Sequence, residues 1–348
     1  MFAKARRVVG LDIGSSALKA IELKRDKDGY ELVFLAVETL PPETVVEGTI
    51  RNAEALSEAI SRLFEEQKIT ARDVASSVSG HSVIIKQLAA PALDGAELHQ
   101  WVRSVAGQHI PFELSEVDLS YHLLDTEEGP SGRPLLLVAA KKETVRSQSE
   151  AIRKAGRNLV VMDVDSFALA NCYEVNYAPG PEDRIALVDI GAGHTNVSVL
   201  RGTVPLFTRD VSVGGSQYTE ALMREFGIGY EEAEQIKRGE GDSAPLQQAT
   251  QVLHSFLELV VVEIRRTFDY YRASSGEPIA GILLAGGCSR VARLGEALSQ
   301  ELSVPVESID PFRRIEIRPE RFDQERVREL APQLAVSVGL ALRGFDPA

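Results

Sequence analysis

The stretch LDIGSSALKAIEL, at residues 11–23, returns in a related form as VDIGAGHTNVSVL at residues 188–200. Each copy has an Asp-Ile-Gly step, then small or hydroxyl-bearing residues, then alternating apolar positions. Alternation with a period of two predicts β-strands, so each copy predicts a hairpin with a tight turn. In the first copy we expect strands at Val8–Asp12 and Leu18–Leu23, followed by a third at Tyr30–Glu38.

The turn of each hairpin has the chemistry of a phosphate site. Glycine lets the backbone approach a ligand closely, and backbone N–H groups and hydroxyls suit phosphate oxygens. The aspartate at the strand end cannot bind phosphate directly, but it can hold Mg²⁺ or its waters. One such turn is common in ordinary hairpins. Two that face each other across a cleft predict a polyphosphate site between two similar halves.

Composition limits the classes of function. The chain has 348 residues, which is typical of about two domains, and 44% of them are hydrophobic, enough for real cores. Its net charge of -13, without a long run of Lys or Arg, makes it a poor ligand for nucleic acid or anionic lipid. Cys172 and Cys288 are far apart, so we expect no zinc site, no disulfide framework and a reducing compartment.

No segment predicts membrane insertion. Asp12 interrupts the apolar run after the basic start MFAKARR, so we expect no signal peptide. The longest apolar candidate, residues 256–268, contains Glu258 and Glu263 and predicts a buried or amphipathic helix. The end of the chain, LALRGFDPA, is not an amphipathic membrane helix.

The block at 80–156 has its own run of strand, helix, two strands and helix, and we expect an inserted subdomain there. Its two later strands, Tyr121–Asp125 and Leu135–Ala140, flank the loop TEEGPSGRP. Later, residues 230–274 are almost entirely helical in pattern, with a break at 239–243. Further helices are predicted at 53–67, at 95–108, from 141 to near Gly156, after the glycines at 214 and 215, and at 332–345. A third Gly-rich piece, LLAGGCSR at 283–290, predicts a buried strand, two glycines and a helix start.

The order Asp-Ile-Gly, Asp-Ile-Gly, strand-Gly-Gly resembles the phosphate-1, phosphate-2 and adenosine motifs of the actin-like ATPase superfamily. Within it the chain resembles the PilM family of type IV pilus assembly proteins, which are related to FtsA. The motifs that carry this resemblance are VVGLDIGSSALKAIEL, DVDSFALAN, DIGAGHTNVSV, VGGSQYTEAL and YEEAEQIKRG, in that order.

The resemblance implies an α/β actin-like ATPase fold with two duplicated RNase H-like halves and inserted subdomains 1C and 2B. The implied boundaries are 1–79 (1A), 80–156 (1C), 157–180 (1A), 181–214 (2A), 215–274 (2B), 275–330 (2A) and 331–348 (C-terminal helix returning to 1A).

The resemblance also implies ATP and Mg²⁺ as ligands, with Asp12 and Asp189 toward the metal through water. Asp165 would position the attacking water. The implied nucleotide-binding residues are Gly14, Ser15, Ser16, Lys19, Gly191, Gly193, His194, Thr195, Gly214, Gly215, Glu234, Lys237, Gly286, Gly287 and Ser289.

Several of these residues have ordinary alternatives. Lys19 could be a solvated side chain, and Glu234 with Lys237 an i,i+3 surface ion pair. His194 could contribute only its backbone to the turn. Asp165 could cap the helix that follows it. The two cysteines and Trp101 are expected to be structural.

The implied role is an ATP-binding cytoplasmic platform with slow hydrolysis at most, in which nucleotide acts as a conformational clamp. Its implied partner is the N-terminal peptide of a PilN-like inner-membrane protein, held in the groove between 1A and 1C, which would place the protein at the inner membrane. Self-association and contacts with other pilus assembly proteins stay open. The rival hypotheses are an active ATPase or kinase, an FtsA-like filament, a related scaffold without nucleotide, and an α/β domain with fortuitous hairpins.

Overall fold

The repeated hairpins form the centres of two β-sheets. A computed structural model of the protein describes residues 7–27, 29–124, 132–239, 249–275 and 277–346. The first sheet has the strand order β10-β6-β1-β2-β3-β16. Its strands are β1 (Val8–Ile13), β2 (Ala17–Arg25), β3 (Tyr30–Thr39), β6 (Asp73–Val78), β10 (Asn158–Val164) and β16 (Ile315–Glu316).

The second sheet repeats this arrangement. Its order is β13-β12-β11-β14-β15. Its strands are β11 (Arg184–Ile190), β12 (Thr195–Arg201), β13 (Val204–Val211), β14 (Gly281–Ala285) and β15 (Val306–Ser308). In each sheet the hairpin strand that carries the aspartate pairs antiparallel with its partner and parallel with a later strand. The duplication expected from the sequence is therefore present in the topology.

A small third sheet lies in the expected insertion. It has the order β7-β9-β8, formed by β7 (Val83–Ala90), β8 (Val117–Leu123) and β9 (Arg133–Lys141). Helix α2 (Gly95–His109) packs on it through Leu98, Val102 and Ala106, and Trp101 contacts the same core. Most of the loop TEEGPSGRP lies outside the described residues.

The helix after β9 packs differently from the expected division. β9 runs directly into α3 (Lys142–Lys154), and Ala151 and Ile152 of α3 join the core of the first half. They meet α1 (Ala53–Glu66), whose apolar stripe lies on the same core and whose first turn is capped by Asn52. The independent part of the insertion therefore ends at β9, because α3 buries its apolar face against the first half.

Helices cover the second sheet. These are α5 (Gly215–Phe226), α6 (Tyr230–Lys237), α7 (Thr250–Ser275) and α8 (Leu294–Leu302). α7 is amphipathic, since Val260 and Ile264 are buried while Glu258 and Arg265 are exposed. The expected break at 239–243 lies almost entirely outside the described residues. Among the helices that the structure describes, none is long and apolar enough to cross a membrane.

The C-terminal segment ties the halves together. β16 pairs with β3, so the chain rejoins the first sheet at Ile315, earlier than the expected residue 331. After α9 (Gln324–Leu330), helix α10 (Ala335–Leu342) packs against α4 (Asp165–Tyr177). One apolar cluster joins these helices to both sheets, and its members include Leu169, Leu187, Leu283 and Leu340. A short hairpin, β4 (Val45–Val46) and β5 (Thr49–Ile50), completes the fold.

Candidate functional site

A cleft of about 820 Å³ lies between the two halves, at the ends of the strands where the repeated turns meet. Its volume is within the usual range for a small-molecule site. The predicted site residues that line it are Asp12, Gly14, Ser15, Ser16, Lys19, Asp165, Asp189, Gly191, Gly193, His194, Glu234, Lys237, Gly286 and Gly287.

The first turn places a lysine on an aspartate. In the register of β1 and β2, Asp12 pairs with Lys19. The Lys19 ammonium donates to Asp12 Oδ2 at 3.0 Å, and the two side chains are only 15% and 10% exposed. Lys19 is therefore not a solvated side chain. Burial raises the pKa of Asp12 although Lys19 opposes this, and the Asp12 carboxylate raises the pKa of Lys19 against the effect of burial.

Asp189 is a second carboxylate of the cleft, partly buried and without a lysine of its own. Burial, and then the charges of Asp12 and Asp165, raise the pKa of Asp189 to about 7, and Lys19 and His194 offset this only in part. A divalent cation would remove this excess of negative charge. Within the described residues there is no group of three or more His, Cys, Asp or Glu side chains that could hold a metal alone. The residues thus fit a cation that takes its remaining ligands from water or phosphate.

The second turn lies directly across from the first. The N–H of Gly191 donates to the carbonyl of His194 at 3.0 Å, as that of Gly14 does to Ala17 at 3.1 Å. A Cβ atom on Gly193 would lie 2.8 Å from the Ser15 hydroxyl, so the turns approach to contact distance. A ligand between them would touch both halves of the protein.

Four predicted residues lie behind the cleft wall and not on it: Thr195, Gly214, Gly215 and Ser289. The Thr195 hydroxyl donates to the carbonyl of Val213 at 2.7 Å, and the Ser289 hydroxyl donates to that of Gly286 at 2.7 Å. The N–H of Gly215 donates to the carbonyl of Gly191 at 2.9 Å. Because these groups are already paired, their part is to hold the turns in shape.

Glu234 and Lys237 are not a surface pair. Their side chains are 21% and 11% exposed, and the ammonium donates to Glu234 Oε1 at 2.9 Å. The same ammonium donates to the Thr219 hydroxyl at 3.0 Å and to the carbonyl of Gly215 at 3.2 Å. Thr219 is buried and lies within the motif VGGSQYTEAL, but it is not among the predicted site residues.

The Gly-Gly step after β14 passes against Asp189. Gly286 has a φ of +85°, and a Cβ atom there would lie 2.4 Å from Asp189 Oδ1. Only glycine fits this position. Cys288 follows, and its thiol donates to the carbonyl of Gly191 at 3.4 Å, which joins the two glycine-rich pieces. Both cysteines are buried and free, as expected of structural residues.

Asp165 is the first residue of α4, but its side chain does not cap that helix. The cap position is Val164, which has no side-chain hydrogen bond. The Asp165 carboxylate accepts a hydrogen bond from the Ser77 hydroxyl at 2.5 Å and lines the cleft.

A salt-bridge triad forms part of the cleft wall. Glu329 accepts hydrogen bonds from Arg290 and Arg326, both at 2.8 Å, and all three side chains line the cleft. These bonds lower the pKa of Glu329, with Arg326 the larger cause. Arg290 follows the Gly-Gly-Cys-Ser step directly, which is a signal in the sequence. Arg326 and Glu329 carry no such signal, because only the fold brings α9 to the cleft.

A second feature lies where the inserted sheet meets the first sheet. Val78, Val83 and Val164 are buried there. We call this set, together with the apolar side chains packed on it, the junction cluster. Its partly exposed members are Ile85, Val138, Ala140, Val145, Met162 and Phe167. Apolar side chains left partly exposed at a junction of two sheets can take up an apolar segment of a partner.

Comparisons with known proteins agree with this architecture. The family model of type IV pilus assembly protein PilM matches residues 10–345. A chain in the solved PilM–PilN type IV pilus biogenesis complex is 32% identical, with a TM-score of 0.90 and coverage of 99% of this chain and 100% of that chain. The cell division protein FtsA of Pseudomonas aeruginosa is 25% identical over 88% of this chain and 84% of its own length.

A more distant match shows the fold alone. The structure of MreB5 from Spiroplasma citri bound to AMPPNP has a TM-score of 0.52 at 12% identity, covering 98% of this chain and 96% of that one. The actin-like ATPase fold expected from the sequence is confirmed. With a family match that spans nearly the whole chain, the protein belongs to the PilM family of type IV pilus assembly proteins.

Proposed function

We propose that this protein is an ATP-binding platform of the type IV pilus assembly complex, located at the cytoplasmic face of the inner membrane through a PilN-like partner. The observation that carries the nucleotide part is the cleft. There, two glycine turns meet beside the buried Asp12 and the partly buried Asp189, of which the second lacks a lysine of its own.

The residues have distinct parts in this proposal. The turns at 14–16 and 191–194 bind the phosphates through backbone N–H groups and hydroxyls. Asp12 and Asp189 hold Mg²⁺ through its waters, and the metal neutralises phosphate charge. Glu234 and Lys237 meet the ribose, and the Gly286–Gly287 step lies beside the base. Asp165 positions the water for a slow hydrolysis.

Nucleotide acts mainly as a clamp between the halves. Ser15 belongs to the first half and Gly193 to the second, and they are separated only by contact distance. A polyphosphate bound to both turns favours the closed angle over open ones, because its contacts exist only when both turns face it. Nucleotide would thereby set the shape that the protein offers to its partners.

The partner site that we propose is the junction cluster. The similar chain of known structure comes from a complex with PilN, and the cluster supplies apolar side chains between the inserted sheet and the first sheet. We propose that the N-terminal tail of a PilN-like membrane protein binds there and carries the protein to the membrane.

Calorimetry tests both parts on the full chain. Mg-ATP is titrated into the wild type, Asp12→Ala and Asp189→Ala, and a PilN-like N-terminal peptide is then titrated into the ATP-bound wild type. We expect tight nucleotide binding that both substitutions weaken, followed by peptide binding. Met162→Asp should abolish peptide binding and leave Mg-ATP binding intact. Leu259→Asp, at a 41% exposed position on α7, is the matched control for the apolar-to-acidic change.

The other outcomes separate the rivals. No heat with Mg-ATP from a folded sample contradicts the nucleotide site. Nucleotide binding without peptide binding favours an enzyme or a filament, which fast turnover or ATP-dependent sedimentation would identify.

A further inference from the structure

A chain of buried hydrogen bonds leads from helix α3 to the Asp165 carboxylate. The Ser77 hydroxyl donates to Asp165 Oδ1 at 2.5 Å. The Gln148 side-chain amide donates to the carbonyl of Ser77 at 2.8 Å and to the Ser76 hydroxyl at 2.9 Å. Ser76 in turn donates to the carbonyl of Leu11, the residue before Asp12, at 2.7 Å. We call Gln148, Ser76 and Ser77 the relay.

The relay residues are buried, and their polar groups form hydrogen bonds with one another. Ser76, Ser77 and Gln148 are 0%, 6% and 5% exposed. A buried amide is costly unless it is hydrogen-bonded, so Gln148 fixes the position of the β6 backbone at Ser77. A hydrogen bond to a carboxylate is among the stronger kinds, so Ser77 in turn fixes the orientation of Asp165.

The same elements form the wall of the junction cluster. In the register of β10 and β6, Val164 pairs with Val78. These two valines belong to the junction cluster, while their neighbours Asp165 and Ser77 form the hydrogen bond at the cleft. The junction cluster and the hydrogen bond at the cleft are therefore formed by adjacent residues of the same two chain segments.

Helix α3 makes the same connection from the other side. It begins at Lys142, directly after the inserted strand β9 ends at Lys141, so no loop separates them. Val145 on this helix belongs to the junction cluster, and Gln148, three residues later, is the relay residue that donates to Ser77. A movement of the inserted sheet would therefore reach Gln148 through a continuous helix.

We propose that Ser77 is a positioning residue for Asp165, that Gln148 is a positioning residue for Ser77, and that a peptide in the junction cluster changes the rate of ATP hydrolysis through this relay. The inference rests on the proposed function of the cleft. In hydrolysis the water oxygen bonds to the γ-phosphorus as the bond to the ADP oxygen breaks, and a water proton passes to the phosphate product. A carboxylate that orients this water must itself be held in place.

Single-turnover hydrolysis of Mg-ATP by the full chain tests the proposal. Ser77→Ala should lower the rate at saturating Mg-ATP by about 10-fold, since misplacing a positioned group has effects of at least that order, and should change the Kd for Mg-ATP less than about threefold. Ser77→Thr keeps the hydroxyl and should restore most of the rate. Gln148→Leu should lower the rate in the same way.

Ser166→Ala is the matched control. Its hydroxyl is buried next to Asp165 but has no hydrogen-bond partner among the described residues. It should keep the wild-type rate. With saturating PilN-like peptide, the wild-type rate should change by at least about fivefold, the lower end of the usual range for coupling between sites, and the rate of Ser77→Ala should not respond.

The outcomes keep the two proposals apart. A wild type that gives no heat with Mg-ATP overturns the proposed function. If Mg-ATP binds normally, three results would overturn the relay alone. These are no turnover by the wild type, a wild-type rate in Ser77→Ala, or a loss of rate in Ser166→Ala as large as that in Ser77→Ala. A peptide effect that persists in Ser77→Ala overturns the transmission through Ser77.

Discussion

The Asp189→Asn substitution should stabilise the protein without nucleotide and remove its response to Mg-ATP. In the structure, burial and the charges of Asp12 and Asp165 raise the pKa of Asp189 from 3.8 to about 7. Asparagine has nearly the shape of the protonated carboxyl but cannot ionise. The negative charge that lowers the free energy of unfolding without nucleotide is the charge that would attract a cation.

The sign follows from proton binding. Between pH 3.8 and about 7 the folded protein holds a proton on Asp189 that the unfolded chain has lost. The free energy of unfolding therefore falls as pH rises through this window, and the loss is complete above pH 7. Because one pKa unit corresponds to about 1.4 kcal/mol, the full loss is about 4 kcal/mol, of which about 2 kcal/mol has occurred at pH 5.

Thermal unfolding of the unliganded protein between pH 5 and pH 8 measures this effect. We expect Asp189→Asn to melt above the wild type by about 2 °C at pH 5 and about 5 °C at pH 8, for a chain of this length. Asp118→Asn, at an exposed position on β8, is the control for the change from acid to amide and should follow the wild type. Mg-ATP should raise the melting temperature of the wild type and of Asp118→Asn, but not that of Asp189→Asn.

Two results would refute this reasoning. One is an Asp189→Asn protein that is no more stable than the wild type at pH 8. The other is a stability gain that does not depend on pH, which would mean that the Asp189 carboxylate is well compensated in the folded state.

Three further outcomes follow from the same contacts. Lys19→Met leaves Asp12 buried without its cation, so we expect it to lower the free energy of unfolding at pH 8 by about 3–5 kcal/mol, measured by urea denaturation, and Lys19→Arg to lose less. A Cβ atom on Gly339 would lie 1.7 Å from the carbonyl oxygen of Ala168, so Gly339→Ala should separate α10 from α4. We expect it to lower the free energy of unfolding by about 1–3 kcal/mol. Gly344→Ala is the control and should cost less, because its Cβ atom would meet only a side chain. Glu329→Gln weakens the triad in the cleft wall, so a fluorescent ATP analogue should dissociate several-fold faster in stopped-flow experiments; an unchanged rate would show that the triad does not restrict the cleft.

The two central hairpins can be predicted to within about two residues because their strands are long enough to show alternation. The strands β15 and β16 have three and two residues, too few to show any period, and only the sheets that they join define them. Helix α3 follows the inserted strands without a break, so its sequence position assigns it to the insertion, and only its packing on α1 shows otherwise.

The candidate site likewise has features that the sequence predicts and features that it does not. Glycine turns and strand-end acids are local patterns, and the sequence predicts them by position. Ser77 and Asp165 are 88 residues apart, and no local pattern marks serine in a strand as the partner of a cleft acid. The sequence also does not show that the Thr195 and Ser289 hydroxyls donate to backbone carbonyls. A hydroxyl in a turn motif predicts a ligand contact whether or not a carbonyl already accepts its hydrogen bond.

The proposed chemistry of the repeated hairpin depends on the residue paired with each aspartate, where the two copies differ in charge. In the first copy the residue paired with Asp12 is Lys19, which donates to it. In the second copy the residue paired with Asp189 is Asn196, and its amide donates instead to Asp210 on the next strand. An exact repeat would pair each aspartate with a lysine, and the two carboxylates would then leave no negative charge in excess. The asparagine in place of a lysine leaves the Asp189 carboxylate in excess, and in the proposed function this excess favours a ligand that brings positive charge with its phosphates.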